Sequence, residues 1–142
     1  MIKFSDVSVG DTLPAQTFPI RREDLVKYAG ASGDFNPIHW NERFAKEVGL
    51  PDVIAHGMFT MATAVRVVTD WCGDPGAVIE YSTRFTKPVV VPDGLSADAG
   101  ARLEVTAVIG AVLADNVVRV DLTAKSVDDK VLGLARALVR LS

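Results

Sequence analysis

Asp34 and His39 are the side chains whose types and spacing could support proton transfer. They lie in the stretch Tyr28–His39, which also holds Asn36 and contains one of only two histidines in the sequence. A helix would place Asp34 and His39 five positions apart, off a shared face, and Pro37 opposes a continuous helix in any case. We therefore expect a bent loop that brings a carboxylate and an imidazole into one pocket, and we interpret this loop as the active site.

Other sequence motifs for catalysis or cofactor binding are missing. There is no P-loop and no glycine fingerprint for a dinucleotide. The segment Gly30–Gly33 is one residue short of a hydrolase nucleophile elbow and follows a predicted helix, which disfavours a serine nucleophile. Two histidines without cysteines at ligand spacing disfavour structural zinc, so we predict neither a metal nor a cofactor.

Composition limits the class of protein and its partners. The 142 residues, of which 49% are hydrophobic and 23% charged, predict one globular domain over residues 1–142. A net charge of -3 without a Lys/Arg run argues against nucleic acid as a partner. No apolar stretch approaches the ~20 residues of a membrane span, none near the start has the secretory form, and Cys72 stands alone. We expect a cytoplasmic protein that does not bind membranes.

The elements around the loop follow from hydrophobic spacing. We predict a short strand over 15–20 and a helix from Arg22 that the Gly30/Gly33 loop ends. A second short helix begins after Asn41 and stops at Gly49. After a loop over 51–56, a third helix over about 57–71 is apolar around most of its circumference, so other structure must enclose it.

From Ala77 onward, apolar residues recur at every second position, which is typical of strands. Turn signals at 92–94, 115–116 and 128–129 separate the strands and predict an antiparallel meander. The last strand spans 131–141, with Gly133 a possible bulge. A sheet with one apolar face and nothing after it in the chain must cover that face with the third helix. We predict an α+β fold in which a curled antiparallel sheet wraps one long buried helix.

The stretch Tyr28–His39, followed by Ala45 six positions on, resembles residue by residue the signature of the MaoC-like or (R)-specific hydratase family of hot-dog enzymes. The likeness covers nearly the whole chain, more loosely after Pro92. Within that family, the segments 9–11, 56–58 and 71–78 resemble catalytic B subunits of mycobacterial-type (3R)-hydroxyacyl-acyl carrier protein dehydratases. The resemblance implies a single hot-dog domain.

The resemblance also implies the reversible addition or removal of water across C2–C3 of an acyl thioester. We assign His39 to the C2 proton and Asp34 to the departing hydroxyl, although coupled groups can exchange these roles. The backbone N–H of Gly57 is implied to be the donor to the thioester oxygen. We expect Asn36 to organise the loop, and His56 to hydrogen-bond the loop rather than serve as a second base.

We therefore predict a dehydratase for (3R)-3-hydroxyacyl groups on acyl carrier protein, in fatty-acid elongation. An (R)-specific enoyl-CoA hydratase would use the same residues. A hot-dog thioesterase is disfavoured because the signature belongs to the hydratase branch. A non-catalytic hot-dog subunit is disfavoured because Asp34, Asn36 and His39 are all present. Since a single hot-dog sheet has open edges, we expect a homodimer or a heterodimer with a related hot-dog subunit.

Overall fold

The central feature of the fold is an antiparallel sheet that curls against one long helix. The structure, a computed structural model, describes residues 2–96 and 98–142. The helices are α1 (Arg22–Ser32), α2 (Glu42–Glu47) and α3 (Gly57–Cys72), and the strands are β1 (Gln16–Ile20), β2 (Val78–Phe85), β3 (Ala101–Val112), β4 (Val117–Ser126), β5 (Asp129–Lys130) and β6 (Leu132–Arg140). This is the hot-dog arrangement that the sequence predicted.

The ends of the helices follow local capping chemistry. Asn41 caps α2 by accepting the N–H of Phe44, as predicted. Helix α1 continues through Gly30, where the prediction had ended it. It stops at Ser32 because Gly33 adopts the left-handed conformation, with φ of 75°, and donates its N–H to the carbonyl of Ala29. The catalytic loop of the prediction therefore begins directly after this cap.

Helix α3 is buried along one face rather than around its whole circumference. Ala64, Val67 and Val68 are fully covered by the sheet and belong to the core. Thr60 on the same helix is also buried. On the opposite face the exposed residues recur every four positions: Met58, Ala62, Arg66 and Asp70. The prediction of a fully enclosed helix was too strong, since the sheet covers only one face.

The sheet has the strand order β1-β3-β4-β6-β2, and β5 pairs with β4. The predicted meander is correct for β3, β4 and β6 but wrong for β2, which pairs with β6 at the far edge. The connection over 86–100 joins β2, at one edge of the sheet, to β3, which lies beside the opposite edge strand β1. Along it, Val90 forms a bridge with Ile54. The crossover therefore lies beside the segment that precedes α3.

The predicted alternation of buried and exposed residues is present in the central strands but not in the edge strand β2. In β3 and β4 every second residue is buried, as predicted. In β2 two register shifts break the alternation, and Ile79 and Phe85 are exposed. One shift lies opposite Gly133, where Leu134 takes a φ of 48°, so the predicted bulge is confirmed.

No helix in the described part of the chain is long and apolar enough to cross a membrane.

The sheet core predicts a difference between two identical substitutions. Leu103 on β3 is fully buried, whereas Leu95 on the crossover is fully exposed. Leu103→Ala removes buried apolar contacts and leaves a cavity, so we expect the free energy of unfolding to fall by about 2–5 kcal/mol. Leu95→Ala should change it by less than about 0.5 kcal/mol. Urea unfolding of both variants measures this, and equal effects would contradict the assigned core.

Candidate active site

The loop after α1 is held by its own polar side chains. The side chain of Asn36 accepts the N–H of Ile38 at 3.2 Å and so caps the short 3-10 turn Pro37–His39. The backbone N–H of Asn36 in turn donates to the carboxylate of Asp34 at 3.2 Å. These two local bonds set the spacing between Asp34 and His39 within a loop, without a regular helix or strand.

A second set of bonds fastens this turn to the segment that leads into α3. The N–H of Ile54 donates to the carbonyl of Ile38 at 3.1 Å, and His39 Nδ1 lies 2.7 Å from the carbonyl of Ile54. Because a carbonyl oxygen can only accept, Nδ1 must carry the ring proton. The neutral imidazole of His39 therefore presents Nε2 as a free lone pair.

That lone pair faces Asp34. His39 Nε2 and a carboxylate oxygen of Asp34 are 3.7 Å apart, which is close for two charges but too long for a direct hydrogen bond. The side chain of His39 is 8% exposed and that of Asp34 is 52% exposed. The imidazole is thus buried and the carboxylate is half-exposed to solvent, and both remain free to bind a third group.

Gly57 is the first residue of α3, and His56 is its N-cap. At this position a backbone N–H has no acceptor within the helix, and the helix dipole favours negative charge beside it. A Cβ at Gly57 would lie 3.2 Å from ring carbons of Phe85, so the backbone and that ring are in close contact. The free N–H and the aromatic ring lie at one end of the same helix.

A cavity of about 320 Å³ joins these groups. His39 and Gly57 line it together with Thr60, and the side chain of Asp34 does not. The other walls come from the segment before α3, the end of β2, the start of the crossover and the residue before β6: Ile54, Ala55, Phe85, Thr86, Lys87, Pro88, Val89 and Val131. Apart from His39 and Lys87 this lining is uncharged, which suits a ligand with an apolar part.

His56 lies behind the wall and contacts both predicted catalytic residues. Its Nε2 is 3.1 Å from the backbone carbonyl of Asp34, and its ring stacks on that of His39 with centroids 3.7 Å apart at an angle of 23°. Tyr28 of α1 packs against it with centroids 4.8 Å apart. Burial, and secondarily the charge of His39, lower the pKa of His56 below its ordinary value, against the opposing effect of its bond to Asp34. His56 is therefore neutral at neutral pH.

Asp34, His39 and His56 each offer one potential metal-ligand atom, all within 4.8 Å of one another. The two ring nitrogens that face carbonyl oxygens carry protons and cannot coordinate a metal. The remaining lone pairs belong to two nearly parallel rings, so they run alongside each other instead of meeting at one point. This geometry does not suit a shared ion, and the absence of a metal stays a prediction.

The structure brings together all five residues that the sequence selected, but the sequence missed part of the cavity. Thr60 follows Gly57 by three positions, so helical spacing alone could have placed it beside that residue. Phe85 and Val131 had no such signal, because strand pairing across the sheet brings them to the site.

Comparisons with known proteins identify the family to which the chain is similar. The profile of the family described as MaoC like domain matches residues 6–127. The 3-hydroxyacyl-thioester dehydratase X of Mycobacterium tuberculosis is 43% identical over 79 residues, which are 56% of this chain and 27% of that protein. The chain thus spans about a quarter of that relative's length.

Two solved structures are similar over almost the whole chain. A MaoC-like dehydratase superimposes with a TM-score of 0.91 at 46% identity, covering 99% of this chain and 42% of the other. R-Hydratase PhaJ1 from Pseudomonas aeruginosa, in its unliganded form, superimposes with a TM-score of 0.83 at 26% identity, covering 99% and 85%.

The loop geometry predicts different effects for two asparagine caps. Asn36→Ala and Asn41→Ala each remove a side-chain oxygen that accepts a helix N–H, so each should lower the free energy of unfolding by about 1 kcal/mol. Only Asn36→Ala should shift the backbone amide resonances of residues 34–39 strongly. Unfolding curves and amide NMR spectra measure both effects. Unchanged loop resonances in Asn36→Ala would show that this cap does not hold the turn.

Proposed function

The chain belongs to the MaoC-like domain family, and on that premise we propose that it is a hydro-lyase acting on acyl thioesters. The reaction would remove water across C2–C3 of a (3R)-3-hydroxyacyl thioester, or add water to the enoyl thioester in reverse. The observation that carries this proposal is the free Nε2 of His39, 3.7 Å from the Asp34 carboxylate at a cavity that also holds the start of α3.

His39 is suited to the proton at C2. An imidazole has an ordinary pKa of about 6.5 and can accept and return a proton near neutral pH. Its Nδ1–H bond to the carbonyl of Ile54 holds the ring with Nε2, the basic nitrogen, toward Asp34. His39 also lines the cavity. The reaction begins when Nε2 takes the proton from C2 and the electrons of that C–H bond move toward the thioester.

Asp34 is suited to the hydroxyl at C3. The C3–O bond breaks, the oxygen gains a proton from the Asp34/His39 pair, and water leaves. The proton taken from C2 replaces the one given up, so the pair returns to its starting state. In the hydration direction the same two groups would hold and deprotonate the attacking water. The division of roles belongs to the pair as a unit, since two interacting groups can exchange the proton between them.

The negative charge that develops on the thioester oxygen needs a donor. We assign the N–H of Gly57, which has no intrahelical acceptor and lies at the positive end of α3. Glycine lets the thioester approach the backbone closely, because a side chain here would meet Phe85. We assign Asn36 to holding the loop. No step of this mechanism requires a metal or a cofactor.

We propose acyl carrier protein as the carrier of the substrate and fatty-acid elongation in the cytoplasm as the setting. The similarity to a 3-hydroxyacyl-thioester dehydratase supports the dehydratase reaction. The second candidate is an (R)-specific enoyl-CoA hydratase, which the similarity to an R-hydratase favours. Comparing kcat/KM for the same acyl group on carrier protein and on CoA separates the two.

We also propose that residues 1–142 form one hot-dog domain that pairs with a second hot-dog subunit, identical or related. Strand β2 lies at an edge of the sheet, and Ile79 and Phe85 are exposed on it. An open edge with apolar side chains favours pairing with another strand. If the partner is a second copy, sedimentation of the chain alone should give a dimer. If the partner is a related subunit, the chain alone should be a monomer, and its activity should rise when that subunit is added. A fully active monomer would contradict the pairing.

The catalytic assignment predicts large losses from small changes. Asp34→Asn keeps the shape of the side chain but removes its charge and basicity, and His39→Gln removes the titratable ring. Each should lower kcat for hydration of an (R)-hydratase substrate such as a crotonyl thioester by about 10²–10⁴-fold. Absorbance of the enoyl thioester gives a direct measurement.

Asp115→Asn is the matched control, because Asp115 lies in the exposed turn between β3 and β4, which does not line the cavity. It should retain the wild-type rate. If Asp34→Asn and His39→Gln fold and also retain it, the proposed chemistry is wrong. If the wild-type chain and its partner complexes are all inactive, the non-catalytic alternative gains support.

A further inference from the structure

His56 is a buried titratable side chain that the mechanism above does not use. It is 2% exposed and does not line the cavity, so it cannot contact the substrate. It nevertheless contacts both members of the catalytic pair, Asp34 through a backbone carbonyl and His39 through its ring face. A residue in this position can act only through the residues it touches.

The protonation state of His56 follows from its contacts. Its Nε2 faces the carbonyl of Asp34, which can only accept, so Nε2 carries the proton. Its Nδ1 is then a bare lone pair, and this atom is buried without a hydrogen-bond partner within residues 2–96 and 98–142. A proton added at Nδ1 would create a buried N–H without an acceptor, which is costly.

The groups that face His56 do not offset that cost. Tyr28 packs on it from α1, His39 stacks on it from the 3-10 turn, and the Asp34 loop covers its Nε2. Among them only the Asp34 carboxylate is anionic, and it is half-exposed and therefore screened by water. The stacked His39 becomes cationic during catalysis, so a charge on His56 would oppose it across 3.7 Å.

We infer that His56 is a positioning residue that works only as a neutral imidazole, holding the Asp34 backbone and the His39 ring in register so that both face one substrate. This inference rests on the proposed function, which it deepens. The bond to the Asp34 carbonyl fixes one half of the pair. The ring stack fixes the plane of the other half and leaves His39 free to take up a proton beside an uncharged neighbour.

The tautomers can be tested without any activity, since the chain has only two histidines. Long-range ¹H–¹⁵N NMR should show His39 with its proton on Nδ1 and His56 with its proton on Nε2. On acidification, His56 should stay neutral below the pH at which an ordinary histidine titrates, because burial lowers its pKa. Titration of His56 at or above its ordinary value would overturn the inference whether or not the protein is an enzyme.

The sign of the pH effect on stability follows from the same shift. A histidine whose pKa is lower in the folded state binds fewer protons there than in the unfolded chain. Its contribution is therefore fully present above the unfolded value of about 6.5 and is lost as the pH falls below it. Replacing His56 should reduce this loss of stability on acidification, and urea unfolding at several pH values measures the change.

Two substitutions separate the contacts of His56. His56→Phe keeps a ring to stack on His39 but loses the donor to Asp34, and we expect kcat to fall by about 100-fold with KM near the wild-type value. His56→Gln keeps a donor near the Nε2 position but loses the ring, and it should recover part of that loss, to within about tenfold of wild type.

Tyr81→Phe is the matched control. It also removes a part-buried donor to a backbone carbonyl, that of Met61 at 3.0 Å, but away from the cavity. It should leave kcat unchanged. If His56→Phe is folded and as active as Tyr81→Phe, the inference is wrong while the hydro-lyase proposal stands. If the wild-type chain itself is inactive, the hydro-lyase proposal fails, and the NMR result still decides the role of His56.

Discussion

The hydrogen bond from His39 Nδ1 to the carbonyl of Ile54 is the constraint on which the site depends. It determines which ring nitrogen carries the proton and therefore which nitrogen can act as a base. Ile54 is fixed in turn because its neighbours Val53 and Ala55 exchange backbone bonds with Val91 and Val89 of the crossover. The basic nitrogen of the site is thus positioned by backbone groups, which substitution of side chains leaves in place.

The site separates its charges by depth. The Asp34 carboxylate is half-exposed, so water supports its charge, whereas the two stacked imidazoles are buried. Two charged imidazoles at that separation would repel each other, so only one of them can become cationic. Since residues 2–96 and 98–142 offer His56 no acceptor for a second proton, the positive charge of the proposed reaction would be confined to His39. Under that proposal, the two histidines would work as one acid–base group.

Local chemistry explains what the sequence could reveal. Gly33, Asn36 and Pro37 determine the loop through a cap, a side-chain acceptor and a missing N–H, all within a few residues, and the loop was predicted. The long apolar run of α3 likewise identified the helix. The tertiary contacts could not be predicted from the sequence. Strand β2 lies at the far edge rather than next to β3, and Phe85 contacts Gly57 only because of that placement. Burial of one face of α3 alone has the same origin.

The crossover from β2 to β3 has a consequence for the order of folding. The walls of the cavity come from segments that are far apart in the chain, and the contact between Ile54 and Val90 closes a long loop. Contacts of this kind form late, because the entropy of loop closure must be overcome before they contribute. A chain that has formed α3 and the β3–β4 hairpin already holds nearly half of its core residues, yet it still lacks a cavity. We therefore expect the cavity, and with it the proposed chemistry, to form late in folding.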